Sequence, residues 1–327
     1  MGRTGKNEIA LATIARRAVE DYLGVQPGER FLIVTDTRTS PSIASALVEP
    51  ALDLGAEPVI IVMVPRKHSG EEPPAPVAAA MLQADVVLAA SSRSCYHTQA
   101  KGAAQAAGTR GVFNAPSDER AWVVGAMTAD FHQIREVAMR LADALRGASH
   151  VRVRTPAGTD VQLSIDGREP KGWLTGVCRN PGEVSAFPGG EVSLPPVEGT
   201  TRGRIVVERV MTDIGVLGEP ITWVVQDGLV VDIQGGTAAA RLRDHVNGVA
   251  NATNIGELGI GLNPAARITG DITESKKRLG TAHMAMGDSA GGYGGTVVSD
   301  VHLDGILMTP RIEVDGRPIA AEGRILV

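Results

Sequence analysis

Aromatic residues, cysteines and long apolar runs are all scarce in this chain of 327 residues. Aromatic residues make up only 3%, so a core must be built from Val, Ile, Leu and Ala. The two cysteines, Cys95 and Cys178, are isolated and lack C-x-x-C spacing, which favours free thiols over a disulfide. There is no apolar run of 18 residues, and no apolar segment of signal-peptide type follows the first residues. We therefore expect a cytoplasmic protein that has no membrane partner.

Charge of one sign is not concentrated anywhere along the sequence. The formal net charge is -5 and there is no basic tract, which argues against nucleic acid as an obligatory partner. The P-loop pattern G-x-x-x-x-G-K-[ST] is missing, and the first half lacks the dinucleotide pattern G-x-G-x-x-G. Because there is no G-x-S-x-G elbow either, Cys95 followed by His97 is a weak candidate for a nucleophile beside a base. These absences leave the common cofactor and nucleophile classes without support.

The length of the chain exceeds that of one typical core, so the sequence predicts two domains, 1–148 and 149–327. In the first domain, short apolar strands alternate with helices, which is typical of a parallel sheet in an α/β fold. The predicted strands are 31–34, 58–64, 85–90 and 111–113, and the predicted helices are 9–23, 43–54, 77–82, 99–107 and 131–145. The loops 35–39 and 91–94 should lie at the carboxyl edge of that sheet, where ligands often bind.

The second domain has a different pattern, in which apolar and polar residues alternate and helices are few. This pattern predicts a mixed α+β domain with a largely antiparallel sheet, so the fold class is α/β plus α+β. The predicted strands are 151–155, 160–165, 203–210, 221–225 and 229–233, with a helix at 241–249 and a strand–turn–strand tail at 311–327. The turn Gln226-Asp227-Gly228 is typical of a hairpin between two of these strands. Every candidate metal ligand falls in this second domain.

The most informative motif is His302-Leu303-Asp304, inside the alternating stretch 296–308. In a strand, residues two apart point to the same face and lie about 7 Å from each other, so both side chains can approach one ion. Imidazole and carboxylate are the usual ligands of zinc, manganese, cobalt and ferrous iron. The motif therefore indicates a metal enzyme, although H-x-D also arises by chance.

Three further residues are candidate ligands, each with a simpler alternative. Glu191 follows the Gly-rich turn Phe187-Pro188-Gly189-Gly190, and taken alone it is more typical of a surface carboxylate than of a ligand. Glu257 stands among small and apolar residues in 254–261, so its burial would require a counter-charge, a metal or hydrogen bonds. His283 lies in an apolar segment, and taken alone it is more typical of a core histidine than of a ligand.

Other polar residues of this domain receive secondary roles. Asp300 shares a face with His302 and is a candidate for the carboxylate that orients an imidazole. Tyr293, in a Gly-rich loop, could polarise a carbonyl, bind metal, or be a simple loop aromatic. Four basic residues are expected to be solvated, with an anionic substrate as the alternative role for one of them: Arg267, Lys276, Lys277 and Arg278.

Taken together, the C-terminal half resembles the aminopeptidase T/S family of thermophilic metalloaminopeptidases. The stretches that carry the resemblance are 187–191, 254–264, 272–287 and 301–304. The resemblance implies two clustered divalent metals held by two glutamates, two histidines, an aspartate and a tyrosine. Carried over to this sequence, those residues are Glu191, Glu257, His283, His302, Asp304 and Tyr293. It also implies a homo-oligomer, a dimer or larger.

The chain is similar as well to a relative of that family, 2,5-dihydroxypyridine 5,6-dioxygenase, in length and in the H-L-D motif. That resemblance implies one ferrous iron held by two histidines and an aspartate. His302 and Asp304 match two of these ligands, whereas Glu257 stands where the dioxygenase has its other histidine. His283, His302 and Asp304 would still form a set of two histidines and one carboxylate.

The sequence thus leads to three hypotheses. In the first, the protein is a metal-dependent hydrolase that cleaves an amide or related C–N bond of a small molecule or short peptide. One or two Zn, Mn or Co ions would activate water, with Glu191 as a ligand or general base and Tyr293 as a hydrogen-bond donor to the oxyanion. In the second, it is a mononuclear Fe(II) dioxygenase that opens a hydroxylated pyridine or similar ring. In the third, the cluster is a structural ion site in a scaffold that has no activity.

Overall fold

The protein is described here by a computed structural model, in which the chain forms two compact units. The structure describes residues 3–171, 174–290 and 294–327. Unit 1 is built from Met1–Arg135 and Trp173–Gly189, and unit 2 from Glu136–Gly172 and Gly190–Val327. Residue 148, at which the sequence predicts the first domain to end, lies inside the first segment of unit 2.

Unit 1 contains a five-stranded sheet in which every neighbouring pair of strands is parallel. Its strands are β1 (Arg30–Asp36), β2 (Glu57–Met63), β3 (Val86–Ala90), β4 (Arg110–Val112) and β7 (Val184–Ser185), in the order β2-β1-β3-β4-β7. Its helices are α1 (Arg3–Arg17), α2 (Pro41–Asp53), α3 (Ala75–Gln83), α4 (Gln99–Ala106) and α5 (Glu119–Val123), with a π-helical turn at Ala18–Tyr22 and a 3₁₀ turn at Ala126–Thr128. Helix α6 (Phe131–Leu145) begins in unit 1 and continues into unit 2.

The sheet of unit 1 forms because β3 is wholly apolar, β1 contains the apolar run 31–34, and both strands are buried along nearly their full length. Strands with such continuous apolar runs are stable only when helices cover both faces of the sheet, as in α/β folds. Aromatic rings pack against each other in this unit, since the Tyr22 ring stacks on Phe131 with 4.6 Å between centroids. Cys95 and Cys178 are buried free thiols, as the sequence predicts.

Unit 2 contains two sheets in which every neighbouring pair of strands is antiparallel. The six-stranded sheet has the order β11-β10-β16-β15-β14-β8 and consists of β8 (Glu191–Leu194), β10 (Val210–Met211), β11 (Gly215–Val216), β14 (Ile255–Gly261), β15 (Thr281–Gly287) and β16 (His302–Met308). The eight-stranded sheet has the order β13-β12-β9-β6-β5-β17-β18-β19 and consists of β5 (His150–Arg154), β6 (Asp160–Ser164), β9 (Arg202–Val207), β12 (Ile221–Gln226), β13 (Leu229–Gln234), β17 (Arg311–Val314), β18 (Arg317–Ala321) and β19 (Arg324–Ile325). The helices α7 (Thr237–Val246) and α8 (Ile272–Ser275) complete the unit.

The two sheets of unit 2 pack against each other around Gly305 in β16. A Cβ atom added to Gly305 would come within 2.5 Å of Val207 and 3.0 Å of Trp223, which belong to the eight-stranded sheet. Glycine at this position therefore permits the close approach of the two sheets. One face of β16 is consequently used for packing, and the opposite face carries His302 and Asp304.

The architecture confirms the predicted fold class, a parallel α/β part followed by a mixed, largely antiparallel part. The predicted hairpin between β12 and β13 is present, with left-handed φ values of 46° at Asp227 and 77° at Gly228. Strand β16 is shorter than the alternating stretch 296–308, because it begins only at His302. Among the described residues, no helix is long and apolar enough to cross a membrane.

Candidate metal centre

Five side chains converge on one face of the six-stranded sheet because of its register. Glu257 in β14 pairs with Ala285 in β15, which pairs with Asp304 in β16, so these three residues form one row across the sheet. The next position on the same face of β15 is His283, since side chains two residues apart share a face. A bulge precedes Glu257 in β14, where the register with β15 shifts between Ile255 and Glu257.

The remaining two residues lie on the same face. Glu191, the first residue of β8, pairs with Gly261 in β14, and His302, the first residue of β16, pairs with Gly287 in β15. Glycine also faces the imidazole of His283, because Gly259 is its partner across the strands. A Cβ atom on Gly259 would lie 2.2 Å from His283 Nε2, so only glycine leaves room for this ring.

The distances within the cluster are short, although its five side chains come from four different strands. His302 Nε2 lies 3.2 Å from Glu257 Oε2 and 3.5 Å from Asp304 Oδ1. His283 Nε2 lies 3.4 Å from the same glutamate oxygen, 3.8 Å from the same aspartate oxygen and 3.9 Å from Glu191 Oε2. Glu257, His302 and Asp304 each offer one ligand atom, and these three atoms all lie within 4.8 Å of one another. The structure thus brings together five of the six residues that the sequence analysis carried over as ligands, all except Tyr293, which lies outside the described residues.

The orientation of His302 comes from a main-chain group. Its Nδ1 lies 2.8 Å from the carbonyl oxygen of Asp288, to which it donates, so that Nε2 points into the cluster. A hydrogen bond from the ring nitrogen that does not bind metal is the usual way in which proteins orient a ligating histidine. The prediction that Asp300 orients an imidazole is wrong, because Asp300 is exposed and lies outside β16. Alternation along 296–308 could not reveal that a carbonyl from another segment fills this role.

The cluster is buried, and several of its atoms lack hydrogen bonds. Glu191, Glu257, His283 and Asp304 are between 0% and 6% exposed. Within the described part of the chain, Glu191 Oε2, Asp304 Oδ1 and both ring nitrogens of His283 have no hydrogen-bond partner. Buried polar atoms are normally paired, and an unpaired carboxylate is costly. Carboxylate and imidazole atoms that face one another without hydrogen bonds fit a divalent metal ion, which would satisfy them together.

The ionisation of the cluster is dominated by its opposite charges. Burial alone would raise the pKa of Glu257 and Asp304, but Lys276 and the histidines outweigh this, and the pKa of both carboxyls lies well below its usual range. Burial opposes the charged form of His302, but Asp304 and Glu257 outweigh it and raise the pKa of His302 to about 10. An imidazole must be deprotonated at the nitrogen that binds metal, so metal binding here is expected to release a proton.

Lys276 and Lys277 are not solvated, and the prediction that they are is wrong. Lys276 Nζ lies 3.4 Å from Asp304 Oδ2 and 3.6 Å from Glu191 Oε2, and its side chain is only 15% exposed. Lys277 is 2% exposed, and burial lowers its pKa. Of the other two basic residues, Arg267 is paired with Glu274, and Arg278 is an exposed residue that donates to the carbonyl of Ala266. A run of charges is usually a solvated face, which is why sequence reasoning missed the lysine of the site.

Tyr293 lies outside the described residues, so its assignment as a ligand or oxyanion donor stays a prediction. The assignment of the other five as metal ligands likewise rests on their geometry and donor chemistry.

Solved structures of other proteins share the fold of this chain. The structure of 2,5-dihydroxypyridine dioxygenase from Pseudomonas putida KT2440 superposes with a TM-score of 0.85 at 18% sequence identity, covering 98% of each chain. The structure of wild-type AmpT from Thermus thermophilus superposes with a TM-score of 0.68 at 17% identity, covering 98% of this chain and 99% of that one. At these identities the likeness establishes the fold only. No curated protein matches the chain by sequence.

The family itself is established by sequence. The chain belongs to the NicX family, 2,5-dihydroxypyridine 5,6-dioxygenase, whose sequence profile matches residues 13–327. The resemblance noted from the sequence is therefore confirmed for the dioxygenase relatives, whereas AmpT shares only the fold of this chain. It is not confirmed for the aminopeptidase T/S family itself. The protein is accordingly an enzyme of a dioxygenase family with a candidate metal site in unit 2.

Proposed function

We propose that the protein is a metal-dependent dioxygenase that opens the ring of a hydroxylated pyridine or a related small aromatic compound. The observation that carries this proposal is the match of the NicX family to residues 13–327, which include the whole candidate metal site. This reverses the order of the two enzyme hypotheses from the sequence, where hydrolysis came first. The site residues support it, because two imidazoles and at least one carboxylate are the ligands that suit ferrous iron in oxygenases.

In this proposal, His302 and Asp304 hold the metal together with His283 and Glu257. Ferrous iron, when bound, supplies the one-electron chemistry that lets O2 react with an organic molecule. The carbonyl of Asp288 keeps His302 in the orientation that binding requires. Glu191, whose Oε2 has no hydrogen-bond partner in the described residues, accepts the proton from a substrate hydroxyl. Both atoms of O2 enter the product as one ring bond breaks, so no external reductant is consumed.

A second candidate is the hydrolase, and one observation favours it. Three carboxylates surround the site, those of Glu191, Glu257 and Asp304, and carboxylates commonly bridge pairs of metal ions that activate water. The fold of AmpT is compatible with this candidate, although fold likeness alone assigns no activity. The two candidates differ in whether O2 is consumed and in how many ions each chain binds.

The experiment that separates them begins with protein purified without oxygen, loaded with Fe(II), and supplied with 2,5-dihydroxypyridine and related hydroxypyridines. The proposal expects O2 uptake that matches substrate loss one for one, together with loss of the ring absorbance. Zinc- or manganese-loaded protein serves as the control and should consume no O2. Hydrolysis of amides or peptides by the zinc or manganese form, with no O2 uptake by the iron form, would overturn the dioxygenase in favour of the hydrolase.

A further inference from the structure

We infer that Lys276 limits the site to a single divalent ion by supplying the charge that a second ion would otherwise bring. This inference deepens the proposed function, on which it rests, because it determines how many metal ions the enzyme holds. Lys276 is thus a positioning residue of the metal site, and no direct contact with substrate is assigned to it.

The position of Lys276 carries the inference. Its Nζ atom lies between two carboxylates of the cluster, 3.4 Å from Asp304 Oδ2 and 3.6 Å from Glu191 Oε2. Opposite charges at this distance in a buried site interact strongly, and a positive charge there repels any other cation. The side chains of Glu191 and Asp304 are 4% and 8% exposed, so water screens these interactions poorly.

The charge of the site leads to the same conclusion. The three carboxylates of Glu191, Glu257 and Asp304 are balanced by one ammonium group and one divalent ion when both histidines are neutral. A second divalent ion that shared one hydroxide with the first would leave an excess of one positive charge in a buried place, which is unfavourable. Without the ammonium, two divalent ions that share one hydroxide would instead make the cluster neutral. Lys276 therefore decides between one ion and two.

The backbone that carries Lys276 is held in place independently of the cluster. Lys276 directly follows α8, where Ser275 Oγ donates to the carbonyl of Asp271 at 2.7 Å. Glu274 accepts from Arg267 Nε at 3.0 Å, and the carbonyl of Lys277 accepts from Asn263 N at 2.7 Å. The ammonium is thereby presented to the carboxylates by a segment with its own hydrogen bonds, so it need not leave when metal binds.

The test is a titration of metal-free protein with Mn2+ alone, in which bound metal is counted by elemental analysis and observed by electron paramagnetic resonance. Wild-type protein should bind one Mn2+ per chain and give the spectrum of an isolated ion. Lys276→Gln should bind two, the second at least about tenfold more tightly than in wild type because the repulsion is gone. Its spectrum should show spin-coupled pairs, a signature that a merely structural role of the lysine would not produce.

Three further variants sharpen this test. Lys276→Arg keeps the positive charge and should stay at one ion, whereas Lys276→Met keeps only the aliphatic stem and should bind two if Lys276→Gln does not fold. Lys67→Gln removes the same charge from an exposed position in unit 1 and should leave the stoichiometry at one. Two coupled ions in wild-type protein would overturn the inference, and so would a folded Lys276→Gln or Lys276→Met that stops at one.

The same samples distinguish this inference from the proposed function. Wild-type protein that binds one ion, yet consumes no O2 with hydroxypyridines when loaded with Fe(II), would contradict the dioxygenase and leave the role of Lys276 intact. Wild-type protein that binds two ions would contradict the role of Lys276, even if O2 were consumed.

Discussion

A buried carboxylate occurs in each unit of this protein, and the two have opposite surroundings. Asp36, at the carboxyl end of β1 in unit 1, and Glu257, in β14 of unit 2, are both 2% exposed. Asp36 accepts hydrogen bonds from Ser92 N, Ser92 Oγ and Arg38 N, at 2.8, 2.6 and 2.9 Å. Glu257 instead faces two imidazoles on a sheet face that also carries two further carboxylates.

The comparison shows that burial of a carboxylate does not by itself indicate function. When neighbouring main-chain and hydroxyl groups donate hydrogen bonds to a buried carboxylate, its role is to hold a loop in place. When a buried carboxylate lies beside other carboxylates instead, a cation is required. The loops 35–39 and 91–94 were expected to be ligand-binding positions of the parallel sheet. At this carboxyl edge of β1 and β3, Ser92 donates both its main-chain N–H and its hydroxyl to the carboxylate of Asp36.

The largest effect should come from removing a carboxylate of the metal site. Asp304→Asn keeps the size of the side chain but removes a charged metal ligand, so turnover should fall by at least about 1,000-fold, as for other essential groups. Bound metal, counted by elemental analysis, should fall with it. Asp36→Asn is the matched control and should keep the metal content of wild type. Full metal content in folded Asp304→Asn would contradict the assignment of Asp304 as a ligand.

The next largest effect should come from metal removal, which should destabilise unit 2 and leave unit 1 unchanged. A chelator should lower the free energy of unfolding by about 2.7 kcal/mol relative to protein with metal at 100 times its dissociation constant. Hydrogen exchange measured strand by strand should show the loss of protection in β14, β15 and β16 of unit 2. Strands β1 and β3 of unit 1 should be unchanged. Equal loss of protection in both sets of strands would mean that the ion does not stabilise unit 2 in particular.

Removing the negative charge of Asp36 should affect stability alone. Asp36→Asn weakens hydrogen bonds to a charged acceptor and converts Asp36 to a neutral amide, which should cost about 2 kcal/mol of unfolding free energy. Chemical denaturation measures this loss, while metal content and turnover of the folded variant stay at wild-type values. A variant that lost metal without losing stability would show that the two carboxylates do not differ in role.

The smallest expected effect is the change in stability that Asp36 causes at acidic pH. Burial alone would raise the pKa of Asp36, but hydrogen bonds from Ser92, Arg38 and Thr39 outweigh it, so the pKa lies below the ordinary value of 3.8. A lowered folded-state pKa stabilises the protein fully above pH 3.8, and this stabilisation declines as the pH falls through the folded-state value. Between pH 5 and pH 3.5 the loss should be at most about 1 kcal/mol. The difference in Tm between wild type and Asp36→Asn should therefore shrink as the pH falls. A difference that stays constant with pH would contradict this.

Much of the fold follows from local patterns. Continuous apolar runs predicted the buried strands β1, β2 and β3, and β1 and β3 are indeed buried. Strand β2 is instead an edge strand: among the described strands it pairs with β1 alone, and its Val59, Ile60 and Val62 are exposed. Whether an apolar strand is central or at an edge depends on strand order, which no local pattern encodes.

The site was predicted unevenly for similar reasons. His302 and Asp304 were found because a period of two is a property of a single strand. Glu191, Glu257 and His283 looked ambiguous one by one, and only the register of β8, β14 and β15 places them on the face of His302. Lys276 was missed because the partners that give it a role lie 28 residues or more away in the chain.

The sequence by itself determined the order of secondary-structure elements, the change from a parallel to an antiparallel sheet, and the side-chain types available for metal binding. These depend on periodicity and on donor chemistry, both of which are local. The tertiary structure alone decided which carboxylates are satisfied by nearby donors, as at Asp36, and which converge on one another, as at Glu257. It also placed the ammonium of Lys276 among them. The physical reason is that charge interactions depend on distance in space, and distances between strands are decided by register and packing.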